Sequence, residues 1–247
     1  MLKRYLLPVV LMVLLGSCKT MYQPTGVAYA DYRITAQLPK DTAMVVLMQP
    51  YSDSVNRSMS EVVGYAEATL EKRQPDGSLG QFMADAMLYA GKQQFKIPID
   101  AAFVNYGGIR IPQLPKGPVT RGKIFELMPF DNLVVVQKLS GDVLQEFLDF
   151  TASKGGWPVA GISMEIKNQK AVHVRINGQP LDKNKTYHIV NSDYVASGGD
   201  DAAMLKSIPQ QNRGYLMRDA LFDYIKALKA EGKNISVQET TRITYAQ

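Results

Sequence analysis

Ala101-Ala102-Phe103-Val104-Asn105-Tyr106-Gly107-Gly108-Ile109-Arg110 is a short apolar run that ends in an amide, crosses two glycines and delivers an arginine. Residues 102–104 are predicted as a buried strand, because the run is short, partly β-branched and closed by glycine. Gly107 and Gly108 are expected to turn the chain through φ > 0 and aim backbone N–H groups into one concavity. Asn105 and Arg110, at the two ends of that turn, would offer donors suited to phosphate or ribose oxygens. A plain strand-to-loop turn, with Arg110 in a surface ion pair, fits the stretch equally well.

Outward from this stretch the chain mixes helical and strand patterns. Upstream, Leu79, Phe82, Met83, Ala86 and Ala90 fall on one stripe of a helix predicted over 79–94, with Gly91 as an early stop. Asp85, beside that stripe, is expected to cap or brace a neighbouring loop. Asp41 is placed as the N-cap of a helix carrying Met44, Val45, Leu47 and Met48, which Pro50 must kink or restart. Residues 64–70 and, loosely, an edge strand within 27–38 complete the N-terminal half.

Downstream, Thr120 is expected to cap a short helix ending before Pro129, and 133–139 is a β-branched strand. Ser140 caps a helix whose face is Val143, Leu144, Phe147, Leu148 and Thr151. Ile162, Met164 and Ile166 alternate with polar residues, as do Val172, Val174 and Ile176, which predicts a hairpin with one wet face. A strand at 187–190, a helix over 213–230 ended by Gly232, and a last strand at 241–245 follow. The elements interleave without a regular βαβ rhythm and include an antiparallel hairpin. The expected class is therefore α+β, a mixed sheet with flanking helices, in one domain over 41–247.

The first residues read as an export signal. Lys3 and Arg4 precede an apolar run over 6–15, followed by Gly16, Ser17 and Cys18, the only cysteine. This resembles a bacterial lipoprotein cleavage site: residues 1–17 would be a signal peptide, Cys18 the lipidated N-terminus, and 18–40 a tether with the possible edge strand. An ordinary signal peptide with an incidental cysteine is the alternative. Removing Lys3 and Arg4 from a formal charge of +5 leaves a mild basic excess with no basic run, so no nucleic-acid partner is implied. The expected location is the bacterial cell envelope, on the periplasmic or surface side, with the lipid holding the chain to a membrane.

Two further segments are built like the first. Pro129-Phe130-Asp131-Asn132 precedes a strand, and Tyr194-Val195-Ala196-Ser197-Gly198-Gly199-Asp200 follows one. A nucleobase needs two flat faces to sit between, and a ribose needs an acceptor for its hydroxyls. Taken singly, Phe130 and Tyr194 read as core aromatics sooner than as a clamp, and Gly198-Gly199-Asp200 as a turn. Together, Asn-x-Gly-Gly-Ile-Arg, Pro-Phe-x-Asn and Tyr-x-x-x-Gly-Gly-Asp resemble the C-terminal domain of the 5′-nucleotidase family, from about residue 64 to 245. Leu79-Gly80-Gln81 and Ala84-Asp85-Ala86-Met87 look like its first helix.

The resemblance implies an aromatic clamp on the base at Phe130 and Tyr194. It also implies a base-edge contact at Asn132, a ribose contact at Asp200, and donors toward ribose and phosphate at Asn105 and Arg110. Arg73 is a looser match to a further arginine. Tyr106 stands where family members often carry glycine and would narrow the pocket if its ring pointed inward.

Family enzymes also carry a metallophosphatase domain rich in Asp and His ligands. This sequence has two histidines, His173 and His188, and neither Asp-x-His nor Gly-Asn-His. His173 is expected on the wet face of the hairpin and His188 on a strand. No serine-nucleophile elbow of the Gly-x-Ser-x-Gly type is present either. The implied function is therefore nucleotide recognition for hydrolysis of nucleoside 5′-phosphates, with no cofactor in this chain and the divalent metals in a separate metallophosphatase chain. The rival is a non-catalytic lipoprotein that captures nucleosides or nucleotides for uptake, and a third option is a scaffold that has lost the pocket.

Overall fold

A computed structural model of the protein describes residues 26–237 and 240–246. The expected signal peptide over residues 1–17, and Cys18, lie outside the described residues. The chain divides into two units between Leu47 and Met48. In the first, the edge strand expected within 27–38 does not form: the segment is irregular apart from a turn at 36–38. A strand exists only when a neighbour accepts its ladder, and Tyr29, Tyr32 and Ile34 are all exposed. Helix α1 (Thr42–Met59) starts where expected, with Met44 N–H donating to Asp41 Oδ1 at 3.1 Å. It runs unbroken through Pro50, which removes one N–H donor from an exposed helix where water can serve the freed carbonyl.

The second unit is built on a mixed five-stranded sheet. Its strands lie in the order Gln210–Leu216, Leu133–Ser140, Thr186–Ser192, Ala101–Phe103 and Val159–Ala160. Only Thr186–Ser192 and Ala101–Phe103 run parallel; the other neighbours are antiparallel. Val134, Val135 and Val136 are all buried, as expected for a central strand covered on both faces.

Alternate residues of the sheet feed two cores. Val134, Val136, Val190, Ala102 and Val104 pack under α2 (Ser78–Phe95) and α6 (Met217–Ala230). Leu139, Ile189, Ala101 and Phe103 pack on the opposite side, under α4 (Gly141–Ser153) and a second sheet. That sheet holds the predicted hairpin, Ile162–Lys167 with Lys170–Ile176, and the last strand, Ile243–Tyr245. The short α3 (Arg121–Leu127) and α5 (Asp193–Ala196) flank the central sheet's edge of loops. The expected α+β architecture with a mixed sheet is the one observed.

Several boundaries differ from the sequence reading. Residues 64–70 divide into two strands, Val62–Ala66 and Leu70–Glu71, each paired to a different partner. Helix α2, Ser78–Phe95, matches the expected span of 79–94, but the early stop at Gly91 does not occur. A Cβ at position 91 would sit 2.4 Å from Val190 Cγ2, so this glycine lets the helix lie against the sheet. The hairpin buries Ala171 in place of Val172, because a bulge with His173 at φ 51° shifts the alternation by one. Residues 213–216 belong to the edge strand and α6 begins only at Met217. The caps were legible: Thr120 and Ser140 accept from Lys123 N–H and Val143 N–H, both at 3.3 Å. Asp85 braces the C-terminal segment through Arg242 at 2.8 Å.

Candidate functional site

The sheet topology brings the three motifs to one place. Asn105 lies just past Ala101–Phe103, and Tyr194 just past Thr186–Ser192. Those two strands are parallel, so both exits lie at the same end of the sheet. Leu133–Ser140 runs antiparallel to Thr186–Ser192, with Ser192 opposite Val134, so residues 128–132 enter the sheet at that end too. A cavity of about 460 Å³ opens between them. Its lining includes Asn105, Arg110, Phe130, Asn132, Tyr194 and Asp200, over Met128 and Met217.

The aromatic rings are not core residues. Phe130 is 42% exposed and Tyr194 46% exposed, and the two do not pair with each other among the described residues. Tyr194 is fastened at its hydroxyl, which donates to Asp200 Oδ1 at 2.8 Å and accepts from Asp200 N–H at 3.1 Å. Donating to that carboxylate holds the phenol's pKa above its ordinary value. Gly199 makes the arrangement possible, since a Cβ there would lie 2.5 Å from the Tyr194 ring. Asp200 itself sits at φ 51°, ψ 35°, a region an aspartate tolerates better than most residues.

Asp200 also accepts from Asn105 Nδ2 at 2.7 Å, which joins the first motif to the third. Each carboxylate oxygen keeps lone-pair capacity toward the cavity. The turn after Asn105 differs from expectation. Tyr106–Gly108 is a 3-10 turn, and neither Gly107 nor Gly108 has positive φ. Glycine is needed at 108 for space, because a Cβ there would lie 2.7 Å from Asn105 Oδ1. Arg110 Nη1 donates to Gly107 O at 3.1 Å, and its guanidinium lies 5.5 Å from the Phe130 ring centre. Tyr106 packs away from the cavity, against the core beneath α4.

Arg73 is not in this group. It lines a separate cavity of about 150 Å³ with Glu71, Asp76 and Gln81. Its neighbour Lys72 faces the other way, donating from Nζ to Ile109 O at 2.9 Å and lying 4.3 Å from the Tyr106 ring. Burial, and then the charge of Arg110, lower the Lys72 pKa. Adjacent residues of an extended segment point to opposite faces, so a one-residue displacement exchanges Arg73 for Lys72.

Sequence reasoning also missed Arg218. This nearly buried side chain donates from Nη1 to Met128 O at 3.2 Å and Phe130 O at 3.3 Å, and from Nη2 to Asp131 Oδ1 at 2.6 Å. The signal was present, since Arg218 shares a helical stripe with Leu221 and Ile225, both buried.

The second sheet carries a somewhat larger groove, about 520 Å³, but its lining contains no Phe, Tyr or Trp ring. Among the described residues no three His, Cys, Asp or Glu side chains come together to hold a metal. His173 is an exposed strand residue 3.1 Å from Glu165, and His188 lies on the central sheet. These donors do not fit a dinuclear centre.

Comparison with known proteins agrees with the geometry. The model of the family described as 5′-nucleotidase, C-terminal domain, matches residues 59–207. The chain belongs to this family. The 5′-nucleotidase C-terminal domain of this chain is 26% identical over 204 residues to the 5′-nucleotidase of Vibrio cholerae, covering 78% of this chain and 36% of that protein. Against Protein UshA of Escherichia coli the identity is 25% over 211 residues, covering 83% and 38%. The crystal structure of the 5′-nucleotidase precursor from Thermus thermophilus superposes with a TM-score of 0.70 at 27% identity, covering 85% of this chain and 44% of that one. The chain thus spans little more than a third of the length of these curated relatives.

Proposed function

We propose that this domain binds a nucleoside 5′-phosphate and presents it to a metallophosphatase unit carried on a separate chain. The observation that carries the reading is one cavity lined by two exposed rings, Phe130 with Arg110 beside it and Tyr194 with Asp200 on its hydroxyl. The rings would stack on the two faces of the base, Asn132 meet its edge, and Asp200 accept from the ribose hydroxyls. Asn105 is committed to Asp200 through its Nδ2, so it steadies that carboxylate and offers Oδ1 near the ribose. Arg110, with the remaining donors of its guanidinium, would steer the phosphate end. Divalent metals held by the phosphatase unit would supply an activated water and charge stabilisation at the phosphoryl group. The residues of this chain bind and orient.

The test is isothermal titration of the full chain with AMP, followed by phosphate release on mixing with a metallophosphatase chain that lacks this domain. Binding by the chain alone, and turnover only in the mixture, are the expected results. Absence of AMP binding overturns the reading. Phe130→Ala should weaken binding by about 1–3 kcal/mol, the contribution of one stacked base, with the melting temperature nearly unchanged because the ring is exposed.

The proposal places the domain at a bacterial envelope membrane through lipid on Cys18. Labelled palmitate should be incorporated into the unmodified protein and not into Cys18→Ser; an unmodified protein that takes up no label would refute lipid anchoring at that residue.

A further inference from the structure

One carboxylate oxygen joins the two walls of the cavity. Asp193 Oδ1 accepts from Asn132 Nδ2 at 3.1 Å, from Leu133 N–H at 3.0 Å and from Tyr194 N–H at 2.9 Å. The first two donors belong to the segment that enters the sheet beside Phe130, and the third opens α5, which carries the other ring. No role for Asp193 follows from the motif pattern.

The contact fixes more than position. A carboxamide has similar bulk at its nitrogen and its oxygen, so shape alone leaves it free to turn over. A carboxylate oxygen only accepts, and an inverted Asn132 would set oxygen against oxygen. Asn132 must therefore keep Nδ2 toward Asp193, leaving Oδ1 and the second N–H as an ordered acceptor–donor pair. Asn132 lines the same cavity as the rings, where that pair meets whatever edge a stacked base presents.

We propose that Asp193 is a positioning residue that locks the Asn132 amide, and that the locked amide makes this a site for adenine nucleosides. An adenine edge offers an amino donor beside a ring-nitrogen acceptor, which an asparagine pairs bidentately. A 6-oxopurine offers the reverse order, acceptor beside N–H donor, and would require the inverted amide that Asp193 forbids. The charge on Asp193 also polarises the amide it binds, strengthening Asn132 Oδ1 as an acceptor. This inference rests on the nucleoside reading above and adds the base to it.

The experiment is titration of adenosine and inosine into the full chain and its Asp193→Ala, Asp193→Asn and Asn132→Ala variants, with a melting curve for each. In the unmodified protein adenosine should bind about tenfold more tightly than inosine, the value of one well-made hydrogen bond. Asp193→Asn keeps an oxygen that only accepts, so it should keep the lock and the preference, whereas Asp193→Ala removes that oxygen and no longer forbids inversion. The adenosine preference should then fall below about threefold, through a gain in inosine binding that a merely structural defect would not produce. Asn132→Ala should bring the ratio close to one. Equal binding of both nucleosides by the unmodified protein overturns the proposal, as does a ratio that Asp193→Ala leaves in place. If the unmodified protein binds neither nucleoside, the functional reading itself falls and this inference with it.

Discussion

Arg218→Met should lower stability by about 3–4 kcal/mol and abolish measurable nucleoside binding in the same variant. The guanidinium serves three acceptors: the carbonyls of Met128 and Phe130 and the carboxylate of Asp131. Asp131 is exposed and can turn to water, so its loss alone would cost little. The carbonyl of Met128 is in a buried residue and has no such recourse. Hydrogen bonds from a charged donor are worth about 1.5–3 kcal/mol each, and an abandoned buried acceptor adds its desolvation cost. The guanidinium also lies 4.3 Å from the Phe125 ring, a contact that methionine replaces only in part. For a chain of this size such a loss corresponds to a fall in melting temperature of about 10 °C, read by calorimetry. Binding fails for a local reason, because the backbone that presents Phe130 loses its anchor to α6. A variant that melts normally would show that these carbonyls find other donors.

Asp200→Asn is expected to weaken nucleoside binding by about 3 kcal/mol, a factor of roughly one hundred, with little change in stability. Asparagine is the informative substitution because it also accepts the φ of 51° found here, whereas alanine would strain the turn. One side-chain oxygen remains to accept from the Tyr194 hydroxyl. The other position becomes an NH2 group facing Asn105 Nδ2, which now donates to it at 2.7 Å. Asn105 must turn its amide over to accept from that NH2, which changes the donor and acceptor it offers the ribose, and the charged acceptor for ribose is lost at once. Titration with adenosine and with 2′-deoxyadenosine separates these effects. The unmodified protein should prefer the ribonucleoside, and the variant should bind both weakly with that preference reduced. An undiminished preference would assign the ribose contact to another group.

The residues that met at the cavity were legible because their motifs sit at strand ends. Glycine pairs and short apolar runs mark where a chain leaves a sheet, and a mixed sheet gathers such ends on one side. Pairing Thr186–Ser192 parallel to Ala101–Phe103 is a long-range choice that no local pattern encodes, yet the three motifs made sense only under it. Arg73 shows the opposite case. Its charge recommended it, but facing direction in an extended segment depends on register, and register is fixed by pairing with the distant Gln113–Leu114. The edge strand imagined within 27–38 failed likewise, for want of a partner. The early stop offered at Gly91 and the helix start placed at Arg213 were overruled by packing against Val190 and by pairing with Leu133–Ser140. The buried stripe of α6 marked Arg218, but a charge on a buried face names no partner, and its acceptors at Met128, Phe130 and Asp131 are remote in the chain.

The fastening of the Tyr194 hydroxyl at both ends has a thermodynamic corollary. A ring held by its own phenolic oxygen has no rotamers left to surrender when a flat ligand arrives, so its share of the ordering entropy falls to the folding step. Phe130 has no comparable tether on its ring and must be immobilised at each encounter. The two faces of a bound base would thus be held on unequal terms, one by a preset surface and one by a closing side chain, and the lifetime of the complex would be governed by how often Phe130 swings clear.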